Sequence, residues 1–154
     1  HQRTVIDLLP PDVGAHLLIA GRLDIDATGL LLLSDDGQWI HRVTSPRRAH
    51  EKVYLATLAE PLGDTAERRF ARGIFLEGDN ERTRPARLER LSDTRVRVTL
   101  TEGRYHQVKR MFGALGNRVT NLHREKIGGI QLDPALEPGD YRQLTAAEVA
   151  GFGS

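Results

Sequence analysis

The 154-residue chain contains no cysteine, one methionine, one tryptophan and only 5% aromatic residues. Without cysteine it has no disulfide framework, no thiolate metal site and no cysteine nucleophile. The missing cysteine is compatible with a reducing cytosol. No apolar run approaches the roughly 18 residues a membrane-spanning helix needs. No internal repeat, low-complexity tract or long linker interrupts the chain. Lysine is scarce too, with three lysines beside 19 arginines. A hydrophobic fraction of 39% with 28% charged residues fits a folded globular protein rather than a disordered one. The length suits one domain, or two very small ones.

The net charge of +1 hides an uneven distribution. Residues 1–40 carry −4 and residues 41–53 carry +3; 54–103 balance, 104–126 carry +5 and 127–154 carry −3. Two basic blocks are therefore masked by acidic flanks. The arginine guanidinium is a planar fork that suits phosphate and stacks on bases. A GC-rich genome would also raise the arginine count, so the ratio alone does not establish a nucleic-acid partner.

Apolar patterning predicts many strands and few, short helices. Residues 16–20 and 30–33 are short apolar runs, expected as buried strands on either side of a loop at 21–29. Ser34-Asp35-Asp36-Gly37 is a turn or helix cap, opening a helix over 38–43 that stops at Ser45-Pro46. Residues 52–58 alternate as a strand, with Lys52, Tyr54, Ala56 and Leu58 on one side. Asp64-Thr65-Ala66-Glu67 resembles a capping box with Asp64 as cap, for a helix ending at about Arg72 before Gly73. Residues 85–91 and 95–101 read as a hairpin around Ser92-Asp93-Thr94. A helix is expected over 106–115, a strand over 118–122, an extended segment from 127–130, and a capped helix over 145–150. The sum is an α+β domain with a mixed, mostly antiparallel sheet.

Four features carry candidate chemistry. In Gly21-Arg22-Leu23-Asp24-Ile25-Asp26, a carboxylate at Asp24 beside Arg22 suits a nucleophile or base held ionised by a cation. Asp24 and Asp26 simply capping a turn is the plainer alternative. Asp24, Asp26, Asp35 and Asp36 could supply oxygen ligands to Mg²⁺, but no metal-ligand spacing accompanies them, and the six histidines show no zinc spacing; no metal is expected. In Glu102-Gly103-Arg104-Tyr105-His106-Gln107-Val108-Lys109-Arg110-Met111, a glycine turn feeds a helix whose first turns are cationic. Such a segment attracts phosphate, although a solvated amphipathic helix has the same pattern. Tyr54 either packs on a second core face or lines a cleft where its ring could stack on a base.

Gly21-Arg22-Leu23-Asp24-Ile25-Asp26-Ala27-Thr28-Gly29-Leu30-Leu31-Leu32 resembles the catalytic motif of pseudouridine synthases that modify ribosomal RNA. Ser45-Pro46-Arg47, Glu51-Lys52-Val53-Tyr54, the 102–112 stretch through Phe112, and His123-Arg124-Glu125-Lys126-Ile127-Gly128-Gly129-Ile130 follow in the family's order. The resemblance covers nearly the whole chain and is strongest to the small-subunit type. It implies the family's mixed-sheet catalytic domain and its isomerisation of uridine. The base is cut from C1′ of the ribose, rotated, and rejoined through its C5, without redox change and with no cofactor.

By resemblance Asp24 is the essential aspartate, Tyr54 stacks on the target base and is implicated in proton removal, and Lys109 pairs with Asp24. Many relatives carry arginine at the position of Lys109, and Thr or Ser at that of Ala27. Ile127 or Leu122 would form the aliphatic wall under the base. RNA contacts are expected from Arg22, Arg42, Arg47, Arg48, Lys52, Arg104, His106, Gln107, Arg110, Arg124 and Lys126.

The family usually begins with an S4-type RNA-binding domain and a strand with an Asn-Lys-Pro-like segment. Residues 1–154 are therefore expected to be a catalytic domain lacking its N-terminal part. The resemblance implies a cytoplasmic monomer acting on 16S rRNA, at a site of the uridine-516 type, with no membrane partner. Alternatives are a synthase for 23S rRNA, a non-catalytic RNA-binding or ribosome-assembly module, and a Mg²⁺-dependent phosphohydrolase using the aspartates.

Overall fold

The structure, a computed structural model, describes residues 4–153. A six-stranded sheet forms its centre. Strand β4 (Lys52–Leu58) lies between β6 (Arg95–Leu100) and the long β7 (Val119–Ile127), with β5 (Arg87–Arg90) beyond β6. Two short strands complete the sheet on β7: β2 (Thr28–Gly29) runs parallel to it and β8 (Ile130–Gln131) antiparallel. All other pairings are antiparallel. A separate two-stranded sheet pairs β1 (Leu18–Ala20) with β3 (Leu32–Ser34). The helices α1 to α5 are short: Pro11–Gly14, Gly37–Thr44, Ala66–Arg72, Gln107–Ala114 and Ala146–Ala150. The expected α+β class with a mixed, mostly antiparallel sheet is the one observed.

Two apolar clusters hold these elements. The larger seats Phe70 of α3 and Val108, Met111 and Phe112 of α4 against Ala56, Leu58, Val96, Val98 and Leu122 on one sheet face. The Phe70 and Phe112 rings meet at 4.8 Å. The smaller gathers Ala20, Leu30 and Leu32 with Trp39 and Val43 of α2, Ile127, Ile130 and Phe152. Trp39 meets Phe152 edge-on at 5.5 Å, and its indole N–H donates to the Val149 carbonyl. The seam between the two clusters opens as a cleft.

Several local expectations need correction. Residues 16–20 do not form a buried strand: β1 is an edge strand with Leu18 58% exposed. Residues 30–33 are buried only at Leu30 and Leu32, the alternation of a one-sided strand. Helix α3 has Thr65, not Asp64, at its N-cap, and no side chain caps it. The strand expected over 118–122 runs on to Ile127. Other signals are observed as read: Asp36 caps α2 by accepting from the Gln38 and Trp39 amides, and Thr145 with Glu148 forms a capping box on α5.

The pairing of β2 with β7 needs a glycine. Gly29 has φ +116°, and a Cβ there would overlap the Arg124 backbone. Gly29→Ala is expected to lower unfolding free energy by at least about 1 kcal/mol. Urea denaturation checks this, and an unchanged midpoint contradicts it.

Candidate active site

The cleft at the seam has a volume of about 590 Å³, a size suited to a nucleotide. Loop 21–27 forms one wall, the Ser45-Pro46 turn and the ends of β4 and β6 form others, and the segment from Thr101 to Val108 closes the mouth. Asp24 and Tyr54 both line it, as do Leu122 and Ile127.

Asp24 projects from a turn in which its carbonyl accepts the Ala27 amide at 2.9 Å. Its carboxylate is part-exposed and lies 3.6 Å from Lys109 Nζ and 3.9 Å from His106 Nε2. Both partners come from the start of α4. His106 holds a left-handed backbone (φ 50°) just before the helix, and its ring stacks on Tyr105 at 3.8 Å. Lys109 reaches Asp24, as expected, but its closer partner is Asp26 at 2.5 Å. The hydrogen bond between them raises the Lys109 pKa and lowers that of Asp26. The sequence offers Asp26 only as a turn cap or metal ligand; the structure makes it the anchor of the lysine beside Asp24.

Tyr54 shares the β4 face of Lys52, Ala56 and Leu58. Ala56 and Leu58 are buried in the core, whereas Lys52 and Tyr54 stand at the cleft end of the strand. Tyr54 thus does both things the sequence allowed: it packs on the larger cluster and lines the cleft. Beside it the β4–β7 register shifts by one residue, so that Val53 pairs with Lys126 and Tyr54 with Arg124, leaving Glu125 unpaired in a bulge. Glu125 turns to Arg97 at 2.6 Å.

Lys52 is half-buried, and its ammonium makes no hydrogen bond or ion pair among the described residues. Burial, then the charges of Arg124 and Arg84, hold its pKa below the ordinary lysine value.

The expected RNA contacts separate into two groups. Arg22 and Arg47 are exposed, and Arg22, Lys52 and His106 line the cleft. Arg48 is exposed, with one nitrogen on the Phe152 carbonyl, while Arg42 and Lys126 are half-buried outside the cleft lining.

Four others are engaged in internal hydrogen bonds, although Arg104, Gln107 and Arg124 also line the cleft. Arg104 binds Glu102, Asp79 and the Glu81 and Arg82 carbonyls. Arg110 binds Asp79 and the Tyr105 and Glu77 carbonyls. Gln107 is 4% exposed, donates to Glu102 and accepts from the Arg104 amide. Arg124 is 3% exposed and bound to carbonyls of Arg22 and Leu30. Asp79, which sequence reasoning did not single out, is the acid that ties α4 to the 77–82 turn; Arg110 and then Arg104 lower its pKa. Asp36 is a helix cap, and among the described residues no group of three or more His, Asp or Glu converges to hold a metal ion. Nor, among them, is any helix long and apolar enough to cross a membrane.

A cleft of nucleotide size, walled by an aspartate loop and a cationic helix start on a mixed sheet, defines a class that comparison identifies. The family described as RNA pseudouridylate synthase matches residues 1–114, and the chain belongs to that family. It is 55% identical over 150 residues to the ribosomal small subunit pseudouridine synthase A of Salmonella typhimurium, covering 97% of this chain and 65% of that one. It is 56% identical to the protein of the same name from Vibrio cholerae, with the same coverage of 97% and 65%. A solved structure titled as a crystal structure of pseudouridylate synthase superposes with a TM-score of 0.95 at 52% identity, covering 97% of this chain and 65% of that one. The chain thus spans about 65% of the length of the curated relatives it matches.

The three lysines make the electrostatics of the site measurable. Burial favours the neutral amine and a carboxylate favours the ammonium. In an NMR titration of labelled lysines, Lys52 should therefore lose its proton below the ordinary lysine range and Lys109 above it. Asp26→Asn should bring the Lys109 midpoint down. Coincident midpoints for Lys52 and Lys109 would contradict the arrangement.

Proposed function

We propose that this chain carries the catalytic cleft of an isomerase that converts a uridine of small-subunit ribosomal RNA to pseudouridine. One observation carries the reading: Asp24 faces a nucleotide-sized cleft with Lys109 at 3.6 Å and Tyr54 on the neighbouring wall. Family membership and the names of the most similar relatives support it, and the resemblance of the catalytic loop assigns Asp24 the central role. The specific target we propose is the uridine-516 type site of 16S rRNA.

The reaction breaks the N1–C1′ bond, turns the uracil, forms a C5–C1′ bond and moves the C5 proton to solvent while N1 gains one. Asp24 acts on the sugar side of this exchange. Lys109, held by Asp26, supplies the positive charge beside Asp24. Its ammonium offers a point charge where an arginine would offer a fork.

Tyr54 provides a ring on which the uracil stacks, and Leu122 and Ile127 provide apolar contact from β7. To reach this depth the nucleotide must leave its stack in the RNA. Arg22, Arg47 and Lys52, unpaired with acids among the described residues, are suited to the flanking phosphates.

Mapping pseudouridines in rRNA from cells lacking the protein tests the proposal. One small-subunit pseudouridine should vanish, return with the unaltered protein, and stay absent with Asp24→Asn. Restoration by Asp24→Asn would make the chain a non-catalytic RNA-binding module. Loss in large-subunit rRNA instead would contradict the substrate.

A further inference from the structure

Arg124 is one of the least exposed charged residues, at 3%, and its partners are main-chain carbonyls rather than a carboxylate. Nε and Nη2 donate to the Leu30 carbonyl at 3.0 and 2.8 Å, and Nη1 donates to the Arg22 carbonyl at 3.0 Å. These two carbonyls stand at the two ends of the loop that carries Asp24. The main chain of the same residue works from the other side: its carbonyl accepts the Leu30 amide at 2.8 Å, and it pairs with Gly29 in the parallel β2–β7 contact. The next residue back adds a side-chain bond, Thr28 Oγ1 to His123 Nδ1 at 2.8 Å. One residue of β7 therefore closes residues 22–30 into a ring.

Burying a guanidinium without an anionic partner is costly, and an apolar side chain of similar size would ordinarily serve a core better. Packing does not explain this charge, whereas loop closure does. The planar fork meets the two carbonyls with three nitrogens in fixed geometry; a lysine ammonium at the same place would keep the charge without that fork. We infer that Arg124 is a positioning residue, whose guanidinium fixes both ends of the Asp24 loop and so sets the carboxylate against the cleft. Asp24 itself makes no hydrogen bond or ion pair with it among the described residues; the action passes through the Arg22 and Leu30 carbonyls. The consequence for turnover rests on the isomerase reading, while the consequence for the loop does not.

The test compares Arg124→Lys with the unaltered intact protein in two measurements. Hydrogen exchange should quicken in residues 21–30 and stay unchanged in α3, α4 and the β5–β6 hairpin. Tritium release from RNA labelled at C5 of uridine should show kcat lowered by about 100-fold, the usual scale for a displaced catalytic group, with KM for RNA unchanged. Unchanged exchange in the loop would overturn the inference. So would quickened exchange throughout the protein, which marks a general structural role, or a raised KM with kcat intact, which marks an RNA contact. If the unaltered protein releases no tritium, the isomerase reading fails, and the exchange experiment still decides whether Arg124 holds the loop.

Discussion

The site depends on how the loop at 21–30 is held to the middle of β7. That loop has almost no regular structure of its own, only the two residues of β2. Its shape is imposed by a short parallel contact, a glycine that lets two backbones touch, a Thr28–His123 bond and the buried Arg124 guanidinium. Loops that carry function need a rigid frame, and here the frame is the central sheet. The bulge at Glu125 belongs to the same device. It shifts the register of β7 so that Arg124 faces inward beside Tyr54 while Ile127 still reaches the smaller cluster. Loop, tyrosine and apolar wall thus take their positions from one stretch of one strand.

The helix start opposite the loop is held as firmly, by different means. Asp79 and Glu102 gather Arg104, Arg110 and Gln107 into a charged buttress under α4. Two of the six cations in residues 104–126, Arg104 and Arg110, are engaged there. The buttress leaves Lys109 and His106 facing the acidic loop, and Lys109 bridges to Asp26 and Asp24. The acidic loop and the basic helix, which cancel in the net charge, meet across the cleft. Lys52 and Arg124 place two further cations toward its floor without acid partners among the described residues. An anionic ligand suits such a surface better than a neutral one.

Much of this was legible in the sequence. Strand β4, the β5–β6 hairpin and helix α4 stand close to where alternation and helical period put them, because each buries one face on the larger cluster. The Asp24 loop was legible through its motif. Misreadings arose where a side chain's surroundings, not its type, decide the outcome. An apolar run at 16–20 shows nothing of what covers it, and little does. A strand containing His123-Arg124-Glu125-Lys126 looks finished at Leu122, because buried arginine and a one-residue bulge both break the apolar alternation. The internal partners of Arg104, Arg110 and Arg124, and the burial of Gln107, were not legible, because sequence shows a polar side chain but not what it binds. The choice of Asp26 as the tighter partner of Lys109 depends on side-chain reach across the cleft, which no spacing reveals.

The central claim is that the cleft is assembled in advance, with Asp24 aimed at the sugar of a uridine lying on Tyr54. A crystal structure of the intact protein with bound substrate RNA measures this directly. The account predicts the target ribose within about 3–3.5 Å of the Asp24 carboxylate, the usual separation of groups poised to react. It also predicts that residues 21–30 keep the conformation described here. A uridine seated away from Asp24, or a loop that leaves Arg124 and refolds around the RNA, would contradict it.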